Sequence, residues 1–346
     1  MIMRALIVLV SVSLSVLLTA CSNPRQDVTV QLANEVLLPA HQQWRDSNAA
    51  LVEAVDTYCA DPQASADDLK TAFYQAQSRW SHLQPLMVGP LSEGNRSWQV
   101  QFWPDKRNMV VRQTESLLDE ADPLTREQLE KASVVVQGLT AFEYVLFDKS
   151  VALMDSRDRY CPLLTGIAGH QLALSESVLA LWNEPGGMLA QLRDFPNERY
   201  ATADEGLAAI LRTQITGVDV LKKKLGTPMG RLNQGVVQPY QAEAWRSRQS
   251  IENLQASLQG AQAVWERVRS LVSDATLVKD IDQAYADVAN QLAALPAPLM
   301  ELVQEPAHGE TLTTLYAALD HLENRQQTEL ARNLNIQIGF NANDGD

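Results

Sequence analysis

Apolar side chains recur along this chain at intervals of three and four residues, the spacing that places them on one face of an α-helix. The clearest stripe runs through Leu69, Phe73, Ala76, Trp80 and Leu83. Six more stripes follow, within 129–146, 163–181, 207–221, 251–268, 281–292 and 312–322. No segment alternates with a period of two for long enough to predict a sheet. The pattern therefore predicts an all-α fold.

Helix start signals and long gaps between the stripes indicate how the helices are connected. Thr125 and Gln128 form a capping box that opens a helix predicted to continue through 129–146. The segments 85–104 and 226–239 lack helical spacing and contain several Gly and Pro residues. Long loops of this kind in a compact bundle are commonly functional, so both are predicted to form the walls of a site.

The length of the chain, 346 residues, exceeds what one typical core supports and predicts two domains. The best boundary is the irregular segment 190–199, which separates bundles at 27–190 and 200–346. Each half consists of helices interrupted by one long loop. This organisation predicts two helical bundles related by duplication, with the long irregular loops at their interface.

The first 20 residues have the composition of an export signal. One positive charge, Arg4, precedes an apolar run over 5–17, which is shorter than the roughly 20 residues of a membrane span. The run closes with Leu-Thr-Ala and Cys21, the pattern of a lipoprotein cleavage site. Residues 1–20 are therefore predicted to be removed, Cys21 to carry lipid and 21–26 to form a tether. The alternative is an ordinary signal peptide followed by an incidental cysteine.

The predicted compartment changes how charge and cysteine content are interpreted. No aspartate follows Cys21, which favours the outer membrane, with the protein facing the periplasm. The formal net charge of −14 becomes −15 once Arg4 is removed, and no basic run occurs, so nucleic acid is not a predicted partner. In an oxidising compartment the two other cysteines, Cys59 and Cys161, are predicted to form a disulfide. Two buried thiols are the alternative.

Familiar catalytic motifs are missing from the sequence. It contains no His-Glu-x-x-His, no Gly-x-Ser-x-Gly, no phosphate-binding glycine loop and no Cys-x-x-Cys. None of the five histidines lies four residues from another, which excludes a metal site of two histidines on one helix turn. A metal site assembled across helices, from one histidine and several carboxylates, stays open.

Glu143 is the strongest candidate for a site residue. It lies between Phe142 and Tyr144, which predicts burial, and a buried carboxylate needs a cation or several hydrogen-bond donors. Arg107 or Arg246 would satisfy it as a structural ion pair. If neither arginine reaches it, a metal is the better explanation, with His41 of the first helix as a further ligand. A lone helical histidine is, however, more often structural.

The predicted site is a cleft with Glu143 at its floor. One wall is the segment around Trp103, Pro104 and Asp105, where helix capping by Asp105 is the alternative role. The other wall is the segment that contains Glu243, Trp245, Arg246 and Ser247.

Taken together, these segments resemble the imelysin family, also called the insulin-cleaving membrane protease family. The resemblance rests on short motifs in a fixed order: Leu38-Pro39 with His41, Phe102-Trp103-Pro104-Asp105, Gly138-Leu139-Thr140-Ala141-Phe142-Glu143-Tyr144, Tyr160-Cys161-Pro162, Lys224-Leu225-Gly226, Ala242-Glu243-Ala244-Trp245-Arg246-Ser247 and the closing Gly339-Phe340-Asn341 with Asp344-Gly345-Asp346. Members thought to bind metal carry Gly-x-His-x-x-Glu, and here Thr140 stands in the place of the histidine while Glu143 is kept.

The resemblance implies two helical bundles from an ancient duplication, a shared site near their interface, and an envelope lipoprotein linked to iron uptake. We therefore expect a non-enzymatic protein that binds an iron-related or other small ligand, or a partner such as an iron-uptake component, with iron or another divalent metal as the expected cofactor. A metallopeptidase of the imelysin type is one alternative. A structural envelope protein that works through protein contacts is the other.

Overall fold

The computed structural model describes residues 23–121 and 123–337. The predicted signal peptide, the lipidation site Cys21 and the closing segment 338–346 lie outside the described residues. Within those two ranges the chain contains helices and connecting turns but no β-strand, so the predicted all-α fold is confirmed.

Sixteen α-helices occur in the described part of the chain. They are α1 Pro24–Gln31, α2 Leu38–Ala60, α3 Asp67–Leu83, α4 Arg96–Val100, α5 Met109–Glu120, α6 Arg126–Lys131, α7 Val134–Gln137, α8 Leu139–Phe147, α9 Arg157–Asn183, α10 Met188–Gln191, α11 Ala203–Gly226, α12 Ser250–Val268, α13 Ala275–Ala293, α14 Leu299–Leu302, α15 Gly309–Asn324 and α16 Ala331–Asn333. Two π-helical segments, Leu32–Leu37 and Arg325–Leu330, join α1 to α2 and α15 to α16. Short 3-10 turns occur at Gln84–Leu86, Pro90–Ser92, Pro239–Gln241, Arg269–Leu271 and Pro306–His308.

The long helices follow the apolar stripes. All five residues of the first stripe are buried in α3, and the stripes of α11, α12, α13 and α15 are buried as well. Pro39 is the second residue of α2, which follows the π-helical segment Leu32–Leu37. This is consistent with the missing N–H of proline, which removes one helical hydrogen bond.

The predicted continuous helix through 129–146 is wrong. The capping box at Thr125 is present, but the segment is divided into α6, α7 and α8. Ser133 caps α7, and Gly138 between α7 and α8 is extended and packs against the backbone of Val100. A Cβ atom at Gly138 would lie 2.4 Å from the Val100 carbonyl oxygen, so this close approach is available only to glycine.

The helices pack around one apolar cluster that includes residues from both predicted bundles. In the first half α2 packs against α3 and α9, and in the second α11 packs against α12 and α15. The two halves are in direct contact: α3 packs on α12, and α1 packs on α11. Arg25 of α1 pairs with Asp204 of α11 at 3.1 Å. The first helix, which begins inside the predicted tether, therefore packs on the second half of the chain.

Two glycines allow helices of the second half to approach the turn that follows α3. A Cβ atom at Gly217 of α11 would lie 2.4 Å from the side chain of Pro85, and one at Gly260 of α12 would lie 2.1 Å from the carbonyl oxygen of His82. Both distances are far below van der Waals contact, so any larger residue would push the helices apart. This packing brings the segment that follows α3 next to the segment between α11 and α12.

The predicted disulfide is confirmed: Cys59, near the end of α2, is bonded to Cys161 in α9, with their Cα atoms 5.8 Å apart. Of the helices in the two described ranges, none combines the length and the apolar character needed to cross a membrane.

Candidate functional site

Trp103, in the predicted wall 85–104, contacts the segment that directly follows the other predicted wall, 226–239. The indole Nε1 of Trp103 donates a hydrogen bond to the carbonyl oxygen of Gln241 at 3.0 Å. Beside this contact lies a cleft of about 520 Å³, which we call the cleft throughout. It is lined by Asp105, Lys106, Arg107, Asn108, Val111, Asp148, Ser150, Gln238, Pro239, Tyr240, Gln241, Trp245 and Arg246. The volume lies within the range of small-molecule sites, roughly 300–1,000 Å³.

The local backbone of each wall determines the orientation of its polar side chains. Asp105 accepts hydrogen bonds from the backbone N–H groups of Met109 at 2.6 Å and Val110 at 3.1 Å, so it caps the first turn of α5 from outside the helix. On the opposite wall, Ala244 and Arg248 have positive φ angles of 51° and 65°. These left-handed residues form a series of turns that buries Glu243 and Ser247.

Glu143 is buried as predicted, with 3% of its surface exposed. Its Oε1 accepts two hydrogen bonds from Ser247, one from the backbone N–H at 2.7 Å and one from the hydroxyl at 2.8 Å. Burial raises the pKa of Glu143 above its ordinary value, while the Ser247 donors and nearby Arg246 oppose that rise and Glu243 adds to it. The hydrogen-bond donors to this carboxylate therefore come from Ser247, in the segment on the opposite side.

Arg246 does not hydrogen-bond to Glu143, so the ion pair between them, one of the two alternatives for this carboxylate, is not formed. Its Nε donates to Asp148 at 2.7 Å, its Nη2 donates to Asn108 at 3.3 Å, and its guanidinium lies 4.3 Å from the ring centroid of Trp245. Burial alone would raise the pKa of Asp148, yet hydrogen bonds from Ser150 and Arg246 hold it below its ordinary value. The second candidate, Arg107, lies at the cleft and is exposed.

Glu243 is neutralised in a different way, by an ion pair with the ammonium of Lys224 from α11. Both side chains are at most 4% exposed and form a direct ion pair. The Lys224 Nζ also donates to the Gln84 side chain at 2.5 Å and lies 5.7 Å from the centre of the Trp103 ring. Burial lowers the pKa of Lys224, an effect that Glu243 opposes. The second carboxylate oxygen of Glu243 is buried and has no partner in the described part of the chain.

Thr140, which stands in place of the family histidine, has a structural role here. Its hydroxyl donates to the carbonyl oxygen of Phe102 at 3.2 Å and accepts from the N–H of the same residue at 3.2 Å. The start of α8 is thereby fastened to the residue that precedes Trp103. One turn of sequence later, Glu143 faces the opposite wall.

His41 contacts a different set of residues from Glu143. The expectation that the two share a site is therefore wrong. Its Nδ1 is 2.8 Å from the carbonyl oxygen of Leu37, and its ring packs on Trp182 with centroids 4.7 Å apart. The ring is fully buried, and this burial lowers the pKa of His41 to about 4. Across residues 23–121 and 123–337, no three or more His, Cys, Asp or Glu side chains form a group that could hold a metal ion.

Sequence reasoning missed three residues of this site: Lys224, Asp148 and Gln84. Lys224 is the third of three consecutive lysines at the end of a predicted helix. Such a run predicts a solvent-exposed helix end rather than a buried ion pair. Asp148 follows α8 directly, and only its distant partner Arg246 distinguishes it from an ordinary capping residue. Gln84 carries no sequence signal that we can identify.

Comparisons with known proteins agree with this architecture. The imelysin family model matches residues 37–326. A crystal structure of an imelysin-like protein from Psychrobacter arcticum superimposes with a TM-score of 0.76 at 20% identity, over 92% of this chain and 97% of that one. A protein from Parabacteroides distasonis, provisionally named an iron-regulated protein A precursor, gives a TM-score of 0.69 at 14% identity, over 88% and 94% of the two chains. No curated protein matches the chain. Because the family model spans most of the sequence, the protein belongs to the imelysin family.

Proposed function

We propose that this protein is a non-enzymatic, lipid-anchored envelope protein that binds a small iron-related ligand in the cleft and serves iron uptake. The observation that carries the proposal is the construction of the cleft. Its walls come from segments that are distant in sequence, and the contacts Trp103–Gln241, Glu143–Ser247 and Asp148–Arg246, between residues 138, 104 and 98 positions apart, hold them together. Such preorganised walls favour ligand binding, because little freedom remains to be lost on association.

The donor set favours binding over peptidase chemistry. Thr140 replaces the histidine of the family motif and bonds to the backbone of Phe102, and the Oε1 of Glu143 already accepts two hydrogen bonds from Ser247. A general base or metal ligand meets water or a cation through a carboxylate oxygen, and one of the two oxygens of Glu143 is already occupied by Ser247. The name of the Parabacteroides distasonis relative supports the link to iron.

The position of the cleft suits a ligand that arrives from solution. The chain leaves the predicted lipid site at α1, where Arg25 pairs with Asp204 at the start of α11. The wall that contains Gln238–Arg246 follows the other end of α11, and a helix of 24 residues is about 36 Å long. An anchor at Cys21 would therefore place the cleft away from the membrane to which the protein is attached.

Filling the cleft tests the proposal. Val111 of α5 lines the cleft and is half-buried, so Val111→Trp occupies the space, whereas Val111→Thr keeps the size of the side chain and serves as the control. In cells that lack the gene, the wild type and Val111→Thr should restore accumulation of radioactive iron, and Val111→Trp at the same protein level should not. Full restoration by Val111→Trp would exclude the cleft as the site. Unchanged iron accumulation in the deletion strain would exclude the role in uptake.

The lipid anchor has its own test. Cys21→Ser should remove acylation, so the variant should leave the detergent phase on phase separation, while Ser22→Ala should stay in it. The reason is that the described part of the chain offers no helix able to span a membrane, which leaves the lipid as the proposed attachment. A Cys21→Ser protein that is still labelled by radioactive palmitate would contradict the anchor.

A further inference from the structure

The balance of charges in the cleft differs from that of the whole protein. The chain carries a formal net charge of −14, yet three cationic side chains, Lys106, Arg107 and Arg246, line the cleft against two carboxylates, Asp105 and Asp148. A local excess of positive charge on an acidic protein has to be accounted for, because most of the surface repels anions.

Both carboxylates of the cleft are already engaged. Asp105 accepts the N–H groups of Met109 and Val110, so its charge is directed to the start of α5. Asp148 accepts from Arg246 and twice from Ser150, at 3.0 Å from the backbone N–H and 2.7 Å from the hydroxyl. Neither carboxylate forms an ion pair with Lys106 or Arg107.

Lys106 and Arg107 are exposed and form no ion pair with any residue in the described ranges. Other exposed cations of the chain do form ion pairs, as with Arg126–Glu130 and Lys131–Glu127 on α6. Two adjacent unpaired cations at the rim of a concave site are suited to an anionic ligand group.

Arg246 supplies the fixed part of the site. Its side chain is only 5% exposed, and it uses two of its five N–H donors on Asp148 and Asn108. The planar group is held against Trp245, so it does not have to be ordered when a ligand binds. Three N–H donors of a positioned guanidinium remain, which suits the fork geometry of a carboxylate.

The aromatic wall adds an apolar surface. Tyr240 is 62% exposed and packs edge-on against Trp245, with ring centroids 5.0 Å apart. The exposed Tyr240, supported by the half-buried Trp245, can cover the carbon skeleton of a ligand whose charged groups meet the cations of the cleft.

We infer that the cleft binds a carboxylate-rich anion, either free or as its iron chelate, through Arg246 at the base and Lys106 and Arg107 at the rim. The inference rests on the proposed function and names the class of ligand for the same site. A molecule with several carboxylates suits the separated cations, whereas a small single anion meets only one part of the cleft. Citrate and ferric citrate are the two probes that distinguish the free acid from the chelate.

Calorimetric titration of the intact mature protein tests this inference. The double variant Lys106→Gln, Arg107→Gln removes both rim cations, and Lys70→Gln, Lys279→Gln removes the same charge from remote positions on α3 and α13. The wild type and the remote double variant should bind one of the two probes with equal affinity, and the rim variant should bind it at least tenfold more weakly. The loss should shrink as salt is added, because exposed cations are screened.

The outcomes distinguish the free acid from the iron chelate, and failure of the inference from failure of the proposed function. Equal binding of citrate and ferric citrate identifies the free polycarboxylate as the ligand, and binding of ferric citrate alone identifies the chelate. Unchanged affinity in the rim variant, or phosphate binding as tight as citrate binding, would overturn the inference. Absence of binding by the wild type would overturn it too. If Val111→Trp nevertheless abolishes iron accumulation, the proposed function stands and only the ligand class is wrong.

Discussion

Glu143 and Glu243 are both at most 3% exposed, and both lie where the two halves of the chain meet, yet the protein satisfies them by opposite means. Glu143 receives two neutral donors from Ser247, while Glu243 receives the charge of Lys224 and little else. The first arrangement joins α8 to the turn that precedes α12, and neither Glu143 nor Ser247 lines the cleft. The second lies within one half, between α11 and the start of α12. The difference shows that burial of a carboxylate does not by itself indicate a metal or an ion pair.

The two arrangements also differ in how completely they are satisfied. Glu143 is held by two hydrogen bonds of normal length, whereas Glu243 keeps one buried oxygen without a partner among the described residues. Neutral donors cost little to bury, but an ammonium must be removed from water along with its partner. We therefore expect Glu243 to be the more fragile of the two when its partner is removed.

Lys224→Met should have the largest effect. The substitution keeps the length of the side chain and leaves Glu243 as an uncompensated buried charge, which typically costs about 3–5 kcal/mol of unfolding free energy. Urea unfolding at neutral pH measures the loss. The double variant Lys224→Met, Glu243→Met should recover most of it, because apolar residues of similar size often replace a buried ion pair without cost. A double variant as unstable as Lys224→Met would show that the pair itself stabilises the fold.

Glu143→Gln should have a smaller effect, and one that depends on pH. Because the folded-state pKa of Glu143 is raised above its ordinary value of 4.5, its contribution to stability is fully present below that value and is lost as pH rises through the folded pKa. Glutamine keeps an acceptor for Ser247 and carries no charge. The variant should therefore match the wild type in acid and exceed it at higher pH, by about 1.4 kcal/mol for each unit of pKa shift.

Urea unfolding between pH 4 and pH 8 measures that difference. Glu127→Gln, on the exposed surface of α6, is the control and should give a small difference that does not grow in the same way. If Glu143→Gln loses stability as pH rises, the carboxylate is charged and stabilising in the fold, and the comparison with Glu243 would reverse. Titration of the same variant with iron or zinc tests the metal hypothesis for Glu143, which predicts at least tenfold weaker binding.

The sequence was sufficient for those parts of the molecule that depend on local spacing. The stripe in α3 and the capping box at Thr125 are read from neighbours along the chain, and both are confirmed. The burial of Glu143 was predictable for the same reason, since its flanking aromatic residues leave it no exposed face. The break at Gly138 was not predictable, because its cause is the backbone of Val100, which is brought there by the tertiary fold.

The hydrogen-bond partner of Arg246 could not be predicted from sequence neighbours either. Arg246 has two acidic candidates, Glu143 and Asp148, only five residues apart, and which one it meets depends on the turn between Ala244 and Arg248. That turn lies outside the helices, so no helical pattern in the sequence determines it. Four of the candidate residues, Asp105, Arg107, Trp245 and Arg246, line the cleft, and the bonds between the candidates depend on the tertiary fold. The division into two bundles at 190–200 stays a prediction, and the packing of α1 on α11 shows that the first helix crosses it.

Ser247→Ala should have the smallest effect and gives the finest test of the comparison. It removes the hydroxyl donor to Glu143 and leaves the backbone N–H at 2.7 Å, so we expect a loss of about 1 kcal/mol in unfolding free energy. The loss should grow with pH, because the hydroxyl stabilises the charged carboxylate more than the protonated one. Ser175→Ala in α9 removes a buried hydroxyl that donates only to the carbonyl oxygen of Leu172, and its cost should not vary with pH. Equal pH profiles for the two serine variants would mean that Glu143 stays protonated throughout the range, and that the neutral donors hold an uncharged acid.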